Sequence, residues 1–151
     1  MHDEACPHFE DYINNMMAGH EFVMKEFGVT PRVGWQIDPF GHSSANARLF
    51  AEMGFDAFIF ARLDYEDREK RQEEGTMEFV WRPMWDYLAN TTQILTHALY
   101  THYSAPDGLD WDTMNVVDPF VDDLTMDTYN APEKSAMLLD TIMEYKSAYP
   151  S

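Results

Sequence analysis

GWQIDPFGHS, at residues 34–43, joins a short apolar run to a polar loop. Apolar residues alternate with others along 33–37, as in a β-strand, and Asp38 follows at once. Pro39 and Gly41 favour a turn directly after the acid, so Asp38 lies where the backbone leaves the sheet. A carboxylate at the end of a buried strand can reach a ligand, and it can serve as a metal ligand, a nucleophile or a general base.

On both sides of this loop, helices and strands alternate along the chain. Apolar residues at three- and four-residue spacing predict helices, a charged stretch from Asp64 predicts an exposed helix, and short apolar runs predict the strands. The predicted helices cover about 5–27, 45–53, 64–72 and 130–148. The predicted strands cover about 32–37, 55–60, 77–81 and 94–100, and residues 104–129, which are rich in Asp, Pro and Thr, are predicted to form a long loop.

The alternation of strands and helices predicts an α/β fold with a mostly parallel sheet. Ser44 is predicted to cap the second helix, and Gly54 is predicted to close it. Asn130, with Glu133 three residues later, resembles a capping box for the last helix, and Pro132 suits its first turn. An open sheet would keep unpaired strand edges, which predicts that part of a larger fold is missing.

Composition limits the classes of partner. The 151 residues include 10 basic and 27 acidic side chains, and the resulting net charge of −17 argues against nucleic acid, because phosphate binding needs a cationic surface. No apolar run is long enough to span a membrane, and the polar, acidic first residues do not resemble a signal peptide. Cys6 is the only cysteine, so neither an internal disulfide nor a cysteine-based zinc cluster can form.

The chain resembles the family 38 glycoside hydrolases, the retaining α-mannosidases of lysosomes and the Golgi, and it is most similar to the lysosomal branch. The resemblance covers nearly the whole chain and thins over 100–150. It is carried by MHDEA at 1–5, PRVGWQIDPFGHS at 31–43, LFAEMGFDAFIFARLDYED at 49–67 and EFVWRP at 78–83. It implies that residues 1–151 are an interior part of the N-terminal catalytic domain, a segment of a parallel-stranded β/α barrel.

The same resemblance implies roles for three residues. Asp38, which as a bare Asp-Pro pair would predict only a turn, corresponds to an aspartate that is both catalytic nucleophile and zinc ligand. Arg62 corresponds to an arginine beside that nucleophile, where a fixed cation keeps a carboxylate ionised. The alternative is a surface arginine paired with Asp64 or Glu66. Tyr103 corresponds to a tyrosine that donates a hydrogen bond to the substrate sugar.

Two neighbours of Asp38 allow more than one interpretation. Phe40 could offer its ring to a sugar or lie in the core. His42 follows Asp38 by four residues, which is a possible metal-ligand spacing, but such a histidine more often tethers a loop, and the resemblance gives no zinc ligand at this position. The remaining histidines follow no ligand spacing and are predicted to be ordinary surface or core residues: His2, His8, His20, His97 and His102.

Several parts of the implied active site have no counterpart here. The family's other zinc ligands come from a His-x-Asp motif before MHDEA and from a histidine after residue 151. Its acid/base aspartate follows the helix that ends near Tyr149. Met1 is therefore expected to be an internal methionine, and the isolated chain is expected to be inactive on α-mannosides. Relatives in the lysosomal branch also carry two cysteines in the stretch that aligns with 108–116, where this chain has Asp110 and Asn115.

The function implied by the resemblance is zinc-dependent, retaining hydrolysis of α-mannosidic bonds in N-linked glycans. The expected cofactor is Zn²⁺, the expected substrate is a mannose-containing oligosaccharide, and the expected partner is the remainder of a parent catalytic chain. The expected location is the lysosome or another secretory-pathway lumen. The alternative is a truncated, non-catalytic paralogue that binds carbohydrate or another protein; retention of both Asp38 and Arg62 argues against it, since such a protein has no chemical need for either.

Overall fold

The computed structural model of the chain describes residues 1–84, 92–110 and 118–150. The predicted helices and strands are all found there, most with shorter bounds; the second helix is shifted by one residue, and the third ends two residues later than predicted. The helices are α1 (Phe9–Phe27), α2 (Ser44–Glu52), α3 (Tyr65–Glu74) and α4 (Ala131–Lys146). The strands are β1 (Val33–Gln36), β2 (Ala57–Phe60), β3 (Glu78–Trp81) and β4 (Ile94–Ala98). Within the described ranges, no helix is both long and apolar enough to cross a membrane.

The four strands form one sheet in the order β1-β2-β4-β3. β1 pairs with β2 and β2 pairs with β4 in parallel, whereas β3 pairs with β4 in antiparallel orientation. The α/β class and the mostly parallel sheet are therefore confirmed. The described strands form an open sheet in which β1 and β3 are the outermost strands, so the complete barrel stays a prediction about a longer chain.

The start of α2 differs by one residue from the prediction. Ser43, and not Ser44, is the N-cap: its backbone is extended, with φ −99° and ψ 132°, and its hydroxyl accepts from the amide of Ala45 at 3.2 Å. Ser44 is already the first helical residue. Either serine has the hydroxyl that a cap needs. Ser43 takes the role because it is the last residue with an extended backbone before the helix begins.

The capping box predicted for α4 is wrong. Pro132 lies in the first turn as expected, but the Asn130 side chain makes no cap hydrogen bond. Its amide oxygen instead accepts from the amide of Val121 at 2.8 Å, and its amide nitrogen donates to the carbonyl of Pro119 at 2.9 Å. Asn130 therefore binds the preceding loop to the start of the helix.

A buried lysine holds the same loop against α4. The Lys134 ammonium, which is almost fully buried, donates to the backbone carbonyls of Gly108 and Asp118, both at 2.8 Å. It also pairs with the carboxylate of Asp118 at 3.0 Å. Of the two positions for which the resemblance implies cysteines in relatives, Asp110 is described and Asn115 lies outside the described residues. Lys134 thus links 108 to 118 through polar contacts.

The hydrophobic core lies between α2 and the sheet and is built mainly from phenylalanines. Phe50 of α2 is completely buried, and its ring packs edge-on against Phe58 of β2 with 5.4 Å between centroids. Phe55 packs on the same ring at 4.9 Å. This packing fixes α2 over the sheet and thereby fixes the loop between β1 and α2, which carries Asp38.

Replacing Gly34 with alanine is expected to destabilise the protein. A methyl group on Gly34 of β1 would lie 2.5 Å from Cδ2 and 2.6 Å from Cε2 of the buried Phe50 ring. Overpacking of a core commonly lowers the free energy of unfolding by about 1–3 kcal/mol, which denaturant titration would measure. Gly19→Ala is the matched control, because nothing lies within 4 Å of the added methyl group in α1. A Gly34→Ala protein as stable as the control would contradict this packing.

The buried phenol of Tyr149 is expected to make the stability of the folded protein fall at alkaline pH. Its hydroxyl donates to the carbonyl of Ala98 at 3.0 Å, and its ring stacks on His97 at 4.6 Å. Burial, followed by the charge of Glu78, raises the pKa of Tyr149 to about 12 from an ordinary 10.0. Because the folded protein holds this proton more tightly than the unfolded chain, the protonated phenol contributes to the free energy of unfolding. That contribution is complete below pH 10.0 and is lost as the pH rises toward 12.

The difference between the ultraviolet titrations of wild type and Tyr149→Phe should show a phenol that ionises near pH 12 in the folded protein. In the urea-unfolded protein the same phenol should ionise near about 10. A phenol that ionises at the lower pH in both states would contradict its burial.

Candidate active site

Three parallel strands deliver the predicted site residues to one edge of the sheet. Asp38 follows the end of β1 by two residues, and Arg62 follows the end of β2 by two residues. Gln36 and Phe60, the last residues of these strands, are paired in register. Tyr103 follows β4, the next parallel strand. Because the carboxyl ends of parallel strands meet at the same edge, residues far apart in sequence are brought together there.

Asp38 and Arg62 form a direct ion pair. Nε of Arg62 donates to Oδ1 of Asp38 at 2.6 Å, and a second guanidinium nitrogen, Nη2, also contacts Oδ1. The two side chains are 39% and 36% exposed, so the pair is accessible to a ligand from solvent. Asp64, the alternative partner, instead caps α3 by accepting from the amides of Glu66 and Asp67.

The charges around Asp38 favour its ionised form. The hydrogen bond from Arg62 is the largest influence that lowers the pKa of Asp38 below its ordinary 3.8, and the nearby Tyr103 side chain is the next. His102 acts in the same direction when it carries a positive charge. In return, the Asp38 carboxylate raises the pKa of the Arg62 guanidinium. Asp38 is thus a carboxylate held unprotonated, as a nucleophile or a metal ligand must be.

Two aromatic rings flank the ion pair. The guanidinium carbon of Arg62 lies 4.8 Å from the ring centroid of Phe40 and 6.0 Å from that of Tyr103. Phe40 is 79% exposed, which excludes a place in the core and leaves its ring free to contact a ligand. We refer to Asp38, Arg62, Tyr103 and Phe40 as the Asp38 cluster.

A small cavity of about 190 Å³ opens beside Asp38. Asp3 contributes a second carboxylate to it, and its Oδ1 accepts from the amides of Ala5 at 2.7 Å and Cys6 at 3.1 Å. These two hydrogen bonds lower the pKa of Asp3, so it does not retain the proton that a general acid must donate. The cavity is lined by Met1, His2, Asp3, Asp38, Pro39 and Phe40.

The loop that carries Asp38 is held from within. Nδ1 of His42 lies 3.1 Å from a carboxylate oxygen of Glu4, and Nε2 lies 2.9 Å from the carbonyl oxygen of Arg62. The interpretation of His42 as a loop tether is confirmed. The contact of Glu4 with His42 could not be predicted from residue spacing, because Glu4 lies 34 positions before Asp38 and is only one of 27 acidic side chains.

A carboxylate oxygen is a suitable ligand for zinc, so the chemistry of Asp38 fits one position of such a site. Within residues 1–84, 92–110 and 118–150, no group of three His, Cys, Asp or Glu side chains converges as a metal site. Asp38 can therefore contribute one ligand, and the described residues do not complete a zinc site.

The fold and the site together define a mixed α/β domain that presents an ionised carboxylate, an arginine and a tyrosine at one edge of its parallel strands. The chain belongs to family 38 of the glycosyl hydrolases, since it matches the family's N-terminal domain over residues 1–151. The resemblance found in the sequence is thereby confirmed.

Individual relatives agree with the family assignment. The chain is 47% identical over 135 residues to an alpha-mannosidase of Arabidopsis thaliana, covering 89% of this chain and 13% of that protein. It is 40% identical over 149 residues to the lysosomal alpha-mannosidase of Dictyostelium discoideum, covering 99% and 14%. It is 44% identical over 135 residues to the lysosomal alpha-mannosidase of Bos taurus, covering 88% and 14%. The chain thus spans about one seventh of the length of these relatives.

Proposed function

We propose that this chain is part of the N-terminal catalytic domain of a retaining α-mannosidase, with Asp38 as the nucleophile. The observation that carries the proposal is the direct contact between Asp38 and Arg62 at the edge of the parallel strands. Family membership and the names of the relatives support α-mannosidic bonds as the target. An isolated ion pair on a protein surface would not by itself indicate catalysis.

The chemistry of retention assigns Asp38 a specific step. Its carboxylate oxygen attacks the anomeric carbon of a mannosyl residue, and the bond to the glycosidic oxygen breaks as that oxygen takes a proton from a second carboxyl group. Water then attacks the anomeric carbon of the glycosyl–Asp38 ester and gives a proton back to the second carboxyl group, which is now a carboxylate; the bond between that carbon and the Asp38 oxygen breaks, so mannose is released and the Asp38 carboxylate is restored. Arg62 keeps Asp38 ionised before the attack, because the guanidinium charge opposes its protonation.

The second carboxyl group must retain a proton and lie about 5 Å from the nucleophile. Asp3 shares the cavity with Asp38 but has a lowered pKa, so it is unsuited to this role. We propose that the acid/base residue belongs to a longer chain, outside the described residues. Tyr103 would donate its hydroxyl to a sugar hydroxyl beside Asp38.

We also propose that Asp38 is one ligand of a zinc ion. A bound zinc ion would hold the vicinal hydroxyls of the sugar and favour its distortion toward the transition state. The remaining ligands would come from outside the described residues, since within the described ones no group of three potential ligands converges as a metal site.

For the substrate and the compartment we propose mannose-containing N-linked glycans and a lysosomal or other secretory-pathway lumen. Several relatives are named lysosomal alpha-mannosidases, which supports this location. The net charge of −17 is compatible with an acidic lumen, where a carboxylate with a lowered pKa such as Asp38 stays ionised.

The test is hydrolysis of an aryl α-mannoside by the longest protein that carries this sequence, followed by NMR to identify the first anomer released. Release of α-mannose is expected, and release of β-mannose or the absence of turnover would contradict the proposal. The 151-residue chain alone should show no turnover, since Asp3, which shares the cavity with Asp38, has a lowered pKa and is unsuited to act as the acid. Mannose binding by this chain that survives both a chelator and Asp38→Ala would favour the non-catalytic alternative.

A further inference from the structure

Glu4 is a buried carboxylate with three polar partners, all near the Asp38 loop. Its side chain is 1% exposed. Oε1 lies 3.1 Å from Nδ1 of His42 and accepts from Nε2 of Gln36 at 3.3 Å, while Oε2 accepts from the amide of Ser43 at 2.6 Å. A buried carboxylate needs several hydrogen-bond partners to offset its loss of hydration, so the fold must hold these three partners in place around Glu4.

The three partners stand on both sides of Asp38 in the sequence. Gln36 ends β1 two residues before Asp38, whereas His42 and Ser43 follow it by four and five residues. The Glu4 carboxylate therefore contacts the residues on both sides of the segment 37–41. Gln36 is itself completely buried, and its side chain is fixed further by hydrogen bonds with the backbone of His2.

His42 connects Glu4 to Arg62, the other member of the ion pair. The carbonyl oxygen of Arg62 can only accept, so Nε2 of His42 carries a proton and donates it at 2.9 Å. The contact between Nδ1 and the Glu4 carboxyl group then requires a second proton between those two atoms. The chain of contacts runs from Glu4 through His42 to the backbone of Arg62, whose side chain meets Asp38.

We propose that Glu4, acting through His42, is a positioning residue that sets the placement of Asp38 and Arg62 relative to each other. This inference rests on the proposed function, in which those two residues do the chemistry. A simpler role, anchoring of the N-terminal segment, is already filled by the backbone of Glu4, whose carbonyl accepts from the Tyr12 hydroxyl at 2.6 Å. Loss of the Glu4 side chain alone should therefore loosen the Asp38 loop more than the N-terminal segment.

The experiment measures hydrogen exchange at Nε–H of Arg62 by ¹⁵N NMR of the 151-residue protein, with a chelator present. This proton makes the 2.6 Å bond to Asp38, so its protection reports the geometry of the pair. Arg62→Lys identifies the signal. Glu4→Ala removes all three contacts, and Glu4→Gln retains an acceptor for Ser43 and a donor for His42. Glu10→Ala and Glu10→Gln are matched controls, because that side chain is 71% exposed.

We expect the exchange rate to rise about tenfold or more in Glu4→Ala, less in Glu4→Gln, and not at all in the controls. Unchanged exchange in a folded Glu4→Ala protein would overturn the proposal. If Glu4→Ala does not fold, Glu4→Gln decides in the same way, and unfolding of both would overturn the proposal by assigning Glu4 to stability alone.

Failure of the proposed function would be seen separately, because it concerns turnover by the longer wild-type protein and not exchange at Arg62. If that protein is active, Glu4→Gln should lower kcat with little change in KM, as expected when the alignment of the nucleophile is altered and ground-state binding is not. A rise in KM alone would overturn the positioning role.

Discussion

Asp38→Asn should lower kcat/KM for α-mannoside hydrolysis by roughly 10⁴-fold, the order seen when a catalytic residue that acts as part of a unit is removed. The amide cannot attack the anomeric carbon, because it lacks the negative charge that Arg62 stabilises in the native carboxylate. The measurement is steady-state hydrolysis of an aryl α-mannoside by the longest protein that carries this sequence.

Asp56→Asn provides the matched control for this substitution. Asp56 is also a solvent-accessible aspartate in an ion pair, with Arg32 at 2.6 Å, but it precedes β2 and so lies at the opposite edge of the sheet from the Asp38 cluster. Its replacement should leave kcat/KM within about twofold, as usual for a surface substitution away from the site. Retention of a tenth or more of the wild-type activity by Asp38→Asn would place the nucleophile elsewhere.

Phe50→Ala should lower the free energy of unfolding by about 3–5 kcal/mol, the usual cost of removing a large buried aromatic side chain. The ring is 0% exposed and contacts Phe55 and Phe58 at once, so its loss would leave a cavity between α2 and the sheet. Denaturant titration followed by circular dichroism would measure the change.

Phe22→Ala is the control for Phe50→Ala, since both residues lie in helices and only the burial differs. Phe22 in α1 is 60% exposed, so its removal should change the stability by less than about 1 kcal/mol. Equal effects of the two substitutions would show that α2 does not depend on the phenylalanine core for its position.

Much of the fold could be predicted because its signals are local. The periodic apolar residues of α1 and the short apolar run of β2 each lie within one segment, and both elements are found. The choice of Ser43 over Ser44 could not be predicted, since two adjacent hydroxyls have the same capping chemistry. The side-chain partners of Asn130 also depend on a loop that sequence periodicity does not describe.

The site was less predictable than the fold, for a physical reason. Nothing in the spacing of Asp38 and Arg62 indicates that they touch; only resemblance, or the rule that parallel strands end at one edge, suggests it. The orientation of β3, antiparallel to β4, was likewise not encoded in its apolar run. Glu4 was missed because burial of one acid among many is decided by tertiary packing.

The topology of the sheet has a consequence for how the protein acquires its site during folding. Its parallel pairing joins Val33 to Ala57 and Ala57 to Leu95, partners that are distant in the chain. Such contacts form only after the entropy of closing long loops has been overcome, which makes parallel sheets slow to assemble. A nascent chain that has made its helices but not this sheet holds Asp38 and Arg62 apart, so only molecules that complete the non-local step possess the ion pair.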